Sequence, residues 1–221
     1  GSSSAFLVGL VKAIFALRGK KIFDKEIAEL AFKIENKITK GTTGKQDHYI
    51  AAYGGFNEII YNRFDTKVFP FKISKKKQKI INENLLFLWT GISRSSSTNL
   101  VFQKKNYQKN ERNLKHLNLL TNIFIKELKN KKINLKKIGF FLSKSWELKK
   151  KFSKNVSNYK LDKIYNNVMN KGAFGGKLLG AGGGGFFMFL CPKKIQQEIS
   201  KKYEKINLKM HLKKSNIYIN E

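Results

Sequence analysis

Apolar residues fill nearly every turn between residues 3 and 18, including Ala5-Phe6-Leu7-Val8 and Leu10-Val11. A helix-length run that is apolar nearly all round predicts a buried helix, and Gly19 is placed to end it. A second helix follows, with Asp24 as a cap and Ile27, Leu30, Ala31 and Ile34 at helical spacing. Lys40 to Lys45 reads as a glycine- and threonine-rich loop. From Tyr49 to Phe64, β-branched, aromatic and glycine residues predict strand segments turning at Gly54-Gly55. A further strand is predicted over Lys67 to Ile73.

The polar run Ser74 to Lys79 marks a boundary, giving domains 1–75 and 76–221. Beyond it, Leu85-Leu86-Phe87-Leu88-Trp89 predicts a buried strand. Helical spacing then dominates over 107–130, 134–152 and 159–171. Gly180-Ala181-Gly182-Gly183-Gly184-Gly185 leads into the strand-sized apolar run Phe186 to Leu190. A helix over 193–205 and an alternating edge strand over Ile206 to Ile219 complete the pattern. There is no internal repeat. Strands interleaved with helices place the chain in the α/β or α+β class.

Composition narrows the function classes. With 221 residues, 41% hydrophobic and 13% aromatic, the chain can bury a sizeable core. No apolar run approaches the ~20 residues needed to span a bilayer. Cys191 is the only cysteine, which excludes a disulfide framework or thiolate metal cluster and suits a reducing cytoplasm. His116 and His211 have no ligand-spaced partners. A net charge of +30 suggests nucleic acid, but only Arg18, Arg63, Arg94 and Arg112 of the 45 basic residues are arginine. The lysines are dispersed among asparagines and isoleucines, as a solvated surface would be. Such a surface still attracts small anionic substrates.

Three glycine-associated clusters carry the candidate chemistry. Gly1-Ser2-Ser3-Ser4-Ala5 opens a helix, where free amides and the helix dipole favour an anion and serine hydroxyls can reach phosphate or magnesium. Gly44-Lys45-Gln46-Asp47-His48-Tyr49 delivers a carboxylate from a loop. The third is Gly180 to Gly185, where four consecutive glycines before a buried run imply close backbone approach.

In this order and spacing the clusters resemble the GHMP kinases, the superfamily of galactokinase, homoserine kinase, mevalonate kinase and phosphomevalonate kinase. Within it the chain is most similar to bacterial D-glycero-D-manno-heptose 7-phosphate kinases. That likeness rests on Gly44-Lys45-Gln46-Asp47, Tyr53-Gly54-Gly55-Phe56-Asn57, Thr90-Gly91-Ile92-Ser93-Arg94-Ser95 and Ser145-Trp146-Glu147-Leu148-Lys149. It covers essentially the whole chain. The resemblance implies an α+β, two-domain GHMP kinase fold. Its parts would be a partial N-terminal ribosomal-protein-S5-domain-2-like domain and a C-terminal ferredoxin-like α/β sandwich domain.

It also implies a phosphotransferase that uses ATP and Mg2+ on an alcohol acceptor. Gly1, Ser2, Ser3 and Ser4 would bind nucleotide phosphates, with Ser3 and Glu35 as magnesium ligands. Gly182, Gly183 and Gly184 would form the close-packed floor of the nucleotide site. Asp47 would orient and deprotonate the sugar hydroxyl, while Lys45, Gln46 and Tyr53 line the sugar and Arg94 takes its phosphate. The related segment usually carries a neutral polar residue at the position of His48, so His48 reads as structural, and Trp146 as a core or domain-interface aromatic. The family's first motif has no counterpart, so the chain reads as the C-terminal part of such a kinase. Rival readings are a fucokinase- or galactokinase-like enzyme, or an inactive fragment serving as a basic binding module.

Overall fold

The computed structural model describes residues 1–38, 40, 43–93, 107–206 and 208. The chain forms two compact units, the first holding Gly1–Lys72 and the second beginning at Ile73.

The first unit opens with helix α1 (Ser2–Leu17), which continues until Gly19 takes a positive φ of 63°. Only Ser4, Val8 and Val11 of α1 are buried. Phe6 and Leu17 remain 69% and 79% exposed, with Leu10 and Ile14 also open, so the expectation of a helix buried all round is corrected. These four residues form one apolar stripe at helical spacing on the face turned away from the unit's core. Helix α2 (Asp24–Ile38) is amphipathic: Ile27, Ala28, Ala31 and Glu35 are buried. Its start is secured by Glu26, whose carboxylate accepts from the Phe23 amide at 2.9 Å.

The segment after Lys45 departs from the strand expectation. Residues Gln46–Tyr53 form helix α3, stopped by Gly54 at φ 62°. The aromatic and β-branched side chains that suggest a strand also place His48, Tyr49 and Ala52 on one helical face, all buried. Tertiary burial of that face overrides the local preference. Strands β1 (Phe56–Tyr61) and β2 (Thr66–Phe71) then pair antiparallel, with Phe56 opposite Phe71 and Tyr61 opposite Thr66. The hairpin therefore turns at Asn62–Asp65, where the Asn62 amide donates to the Asp65 carbonyl at 2.9 Å, and not at Gly54-Gly55.

Polar cross-links fix the unit's helices. Glu29 on α2 accepts from Lys45 at 2.8 and 3.0 Å and from the Tyr49 hydroxyl at 2.5 Å. Burial pushes the Glu29 pKa up, but the hydrogen bonds from Lys45 and Tyr49 outweigh it and hold the carboxyl below its ordinary value.

In the second unit the charge run after Ser74 is helical: Ser74 caps helix α4 (Lys75–Asn84), accepting from the Lys77 amide at 3.3 Å. Strand β3 (Leu85–Trp89) follows as expected, then helices α5 (Tyr107–Lys129), α6 (Leu135–Lys150) and α7 (Tyr159–Asn170). Strands β4 (Gly175–Leu178) and β5 (Phe186–Leu190) flank the glycine loop, and α8 (Lys193–Ser200) and β6 (Lys205–Ile206) close the described chain. Helix α8 ends five residues before the predicted boundary at 205. The edge strand expected beyond Ile206 lies almost wholly outside the described residues. The sheet is antiparallel throughout, in the order β4-β5-β3-β6.

One sheet face carries the core. Leu86, Leu88, Leu178, Phe187 and Phe189 meet Trp146 of α6 and Leu161, Ile164 and Val168 of α7. Trp146 is fully buried there. Strand β4 has little strand-forming composition and escapes a propensity reading. It exists because α6 crosses it at backbone contact distance. A Cβ added at Gly139 would lie 2.4 Å from the carbonyl carbon and oxygen of Phe174. Neither backbone can yield without losing the crossing.

Two outcomes follow for stability. Gly139→Ala should cost about 1–3 kcal/mol or more through overpacking, seen as a lower urea midpoint. The Glu29 contribution has a defined pH sign, because its folded pKa is depressed. It is present above the unfolded value of about 4.3 and is lost as pH falls through the lower folded value. Glu29→Gln should therefore destabilise at pH 7 and flatten the acid limb of the stability profile, measured by denaturant unfolding from pH 7 to pH 3.

Candidate functional site

The residues that sequence reasoning selects in the first unit converge at the N-terminus of α1. Gly1 is the N-cap and its side makes no capping bond, leaving the first-turn amides oriented outward as at any helix start. Ser3 is exposed and Ser4 is buried. Their hydroxyls donate to opposite oxygens of Glu35: Ser3 Oγ to Oε1 at 2.5 Å and Ser4 Oγ to Oε2 at 2.7 Å. Glu35, on α2, is only 6% exposed. Burial pushes its pKa up, yet Ser3, Ser4 and the adjacent His48 together hold it below its ordinary value, so it is a carboxylate at neutral pH.

Asp47 lies in the first turn of α3, with its side chain about half exposed. The Gly1 nitrogen is 3.5 Å from Asp47 Oδ2. A Cβ at Gly1 would come to 3.0 Å of the same oxygen, so the absence of a side chain there lets the carboxylate approach the α1 terminus. Two carboxylates thus flank one helix N-terminus. Glu35 is buried and anchored below it, while Asp47 is open beside it.

The expected sugar-lining residues divide. Lys45 is engaged with Glu29 and its amine also lies over the Phe32 ring, 5.2 Å from the centroid. Gln46 is exposed at the start of α3. Tyr53 stacks on Tyr49 with centroids 6.1 Å apart. Arg94 lies outside the described residues, as does His211. Two residues that sequence reasoning passed over join the cluster. Glu29 anchors Lys45 and Tyr49. Tyr61 meets the Tyr49 ring at a centroid distance of 6.1 Å and an angle of 85°, and partial burial with the charge of Asp47 raises its phenol to about 12. The signal for Tyr61 was weak, because its position depends on the β1–β2 turn falling at residues 62–65.

A divalent cation fits what is present. Ser3 Oγ and Glu35 Oε1 are two hard oxygen donors 2.5 Å apart at a helix N-terminus, and each keeps a lone pair beyond the bond between them. Magnesium takes few protein ligands and completes its shell with water and phosphate oxygens, so such a pair suffices. Among the described residues there is no cluster of three or more His, Cys, Asp or Glu able to hold a metal.

The glycine loop belongs to the second unit and uses its amides internally. Gly183 donates to the Val156 carbonyl at 2.8 Å and Gly185 to that of Ile92 at 3.0 Å. The Thr90 amide and hydroxyl both donate back to Gly185 O, at 3.0 and 2.8 Å. Gly182 has φ 96°, and a Cβ there would lie 2.8 Å from Val156 Cα. One at Gly184 would lie 2.6 Å from Ile92 O. The loop is a tightly packed turn joining β4 to β5.

Comparison with known proteins identifies the family of the chain. The N-terminal domain of the GHMP kinases matches residues 1–55, and their C-terminal domain matches residues 124–205. A D-glycero-alpha-D-manno-heptose 7-phosphate kinase of Campylobacter jejuni is 32% identical over 197 residues, covering 88% of this chain and 58% of that protein. A mevalonate kinase of Methanocaldococcus jannaschii is 28% identical over 211 residues, covering 95% and 63% respectively. The crystal structure of a putative sugar kinase from Campylobacter jejuni superposes with a TM-score of 0.64 at 25% identity, covering 96% of this chain and 62% of that one. The chain thus spans about three fifths of the length of the relatives it matches. Among the described residues no helix is long and apolar enough to cross a membrane. With both domains matched in order and the two carboxylates gathered at the α1 terminus, the chain belongs to the GHMP kinases.

Proposed function

We propose that this chain is the greater part of a sugar kinase that transfers the ATP γ-phosphate to the anomeric hydroxyl of a heptose 7-phosphate. One observation carries the reading: Ser3, Glu35 and Asp47 meet at the N-terminus of α1. The α1 dipole and first-turn amides favour nucleotide phosphates beside Gly1, Ser2, Ser3 and Ser4. Magnesium, held by Ser3 and Glu35, would neutralise charge on the transferring phosphate. Asp47, open and beside the same terminus, accepts the proton of the attacking hydroxyl and orients it. Phosphoryl transfer asks mainly for such placement and for charge neutralisation.

Around that centre Gln46 and Tyr53 line the acceptor. Lys45 reaches it along its stem or by exchanging Glu29 for the substrate. Arg94 grips the acceptor's own phosphate, for which a guanidinium is suited. Gly182, Gly183 and Gly184 contribute through the packing of their own turn, since the Gly183 amide already bonds to Val156. The mevalonate kinases among the relatives support a second reading, a GHMP kinase acting on a different alcohol.

The open stripe of Phe6, Leu10, Ile14 and Leu17 bears on how much of the catalyst is here. An apolar helix face of this kind calls for a covering layer, and the relatives are longer than this chain. We infer that the 221 residues by themselves are not a complete catalyst. Residues 1–221 alone should show no turnover of heptose 7-phosphate with magnesium-ATP in a coupled assay, and turnover at a normal enzymatic rate would refute this.

In protein active with its acceptor, Asp47→Asn should lower kcat by about 10²–10⁴ with little change in KM for ATP. Retention of kcat would remove Asp47 from the chemistry. Screening heptose 7-phosphate, unphosphorylated sugars and mevalonate identifies the acceptor. Arg94→Ala should raise KM only for phosphorylated ones.

A further inference from the structure

His48 follows Asp47 on α3 and is fully buried. The edge of Phe32 meets its ring at a centroid distance of 5.6 Å and an interplanar angle of 82°. His48 Nε2 lies 2.6 Å from Glu35 Oε2. The approach is too bent for a regular hydrogen bond, and it stands as a close polar contact between two buried groups. On the other side of the ring Nδ1 is buried with no hydrogen-bond partner among the described residues. A buried imidazole that leaves one nitrogen unmatched carries a cost. The other nitrogen faces Glu35.

The Glu35 partners are not symmetric. Ser4 and His48 both converge on Oε2, whereas Oε1 has Ser3, the exposed serine at the helix mouth. Ser3 and Ser4 each hold one carboxylate oxygen, but once the open Ser3 side turns to a cation, Ser4 alone would leave the group free to turn about its bond. A second contact on the same oxygen, from a ring wedged against Phe32, removes that freedom.

We infer that His48 is a positioning residue: its hold on Oε2 sets the rotation of the Glu35 carboxylate and keeps Oε1 presented beside Ser3 Oγ. The inference rests on the reading of Ser3 and Glu35 as the pair that takes the divalent cation. Outer partners of ligating carboxylates commonly govern metal affinity without touching the metal. Glutamine at position 48 can reach the place of Nε2 with its amide nitrogen. Leucine fills similar space without donating.

The test uses the chain with any in-frame segment that precedes it in its gene. Manganese(II) is titrated in the presence of a non-hydrolysable ATP analogue and followed by electron paramagnetic resonance. His48→Leu should weaken manganese binding at least tenfold, about the lower limit for loss of an outer partner, whereas His48→Gln should weaken it less than about threefold. Thermal unfolding of His48→Leu, Glu35→Gln and the double variant supplies a cycle. The effect of His48→Leu on Tm should shrink by roughly 3–6 °C once Glu35 is already glutamine.

Equal manganese affinity in all position-48 variants would overturn the inference even if the melting temperatures couple, because His48 would then only support the fold. Additive melting temperatures would overturn it as well. If His48→Leu does not fold, His48→Asn takes its place, since its shorter amide keeps polarity but falls short of Oε2. Failure of the unmutated protein to bind manganese and nucleotide would remove the kinase reading. That outcome is distinct from equal binding by all position-48 variants, which removes the inference and leaves the kinase reading standing.

Discussion

The Glu35 carboxylate is the point on which the first unit's arrangement turns. It is a buried anion on α2 whose hydrogen-bond donors come from α1 and whose third neighbour comes from α3. A buried charge without partners would be intolerable, and supplying them requires all three helices to meet at one place. That requirement fixes where α1 begins relative to α3, and so brings Asp47 beside Gly1. The apolar contacts among Val8, Val11, Ile27, Ala31 and Tyr49 make the helices adhere. Apolar packing tolerates sliding far better than the Glu35 contacts do. Register and site geometry therefore share a cause.

The second unit depends on a different constraint, backbone contact. Helix α6 approaches β4 so closely that Gly139 and Gly175 have no room for a side chain, while Gly176 is closed off by Phe189 of β5. The close crossing lets Trp146 of α6 reach Phe187 on the neighbouring strand, with ring centroids 5.9 Å apart. Cys191, at the end of β5, is buried in the same core, and burial raises its thiol to about 12, which makes it inert at neutral pH.

Much of this was legible in the sequence where one residue type answered to one cause. The helices over 107–130, 134–152 and 159–171 were visible because their periodicity and caps agree. Asn134 and Asn158 each accept from the amide three residues on. Asp47 stood out in its glycine-led segment, and Glu35 was selected through the family resemblance. The misreadings share a physical origin in tertiary context. Tyr49-Ile50 looks like strand until the burial of His48, Tyr49 and Ala52 on one face is known. Gly175-Gly176 carries no strand signal of its own, and β4 emerges only when α6 is laid across it. The outer stripe of α1 was judged buried because hydrophobicity reports what a residue prefers, not what stands opposite it. Glu29 was invisible because its importance comes from Lys45 and Tyr49, which are distant in sequence.

The glycine loop has a consequence at the level of the gene. Every glycine codon begins with two guanines, and any change to either base that still encodes an amino acid introduces a Cβ. At Gly182 and Gly184 that atom would stand 2.8 Å from Val156 Cα and 2.6 Å from the Ile92 carbonyl oxygen. In a chain otherwise crowded with lysine, asparagine and isoleucine, whose codons are rich in adenine and thymine, these guanine pairs run against the drift of the rest of the gene. The turn between β4 and β5 thus acts as a brake on nucleotide composition, set by the van der Waals radius of a single carbon atom.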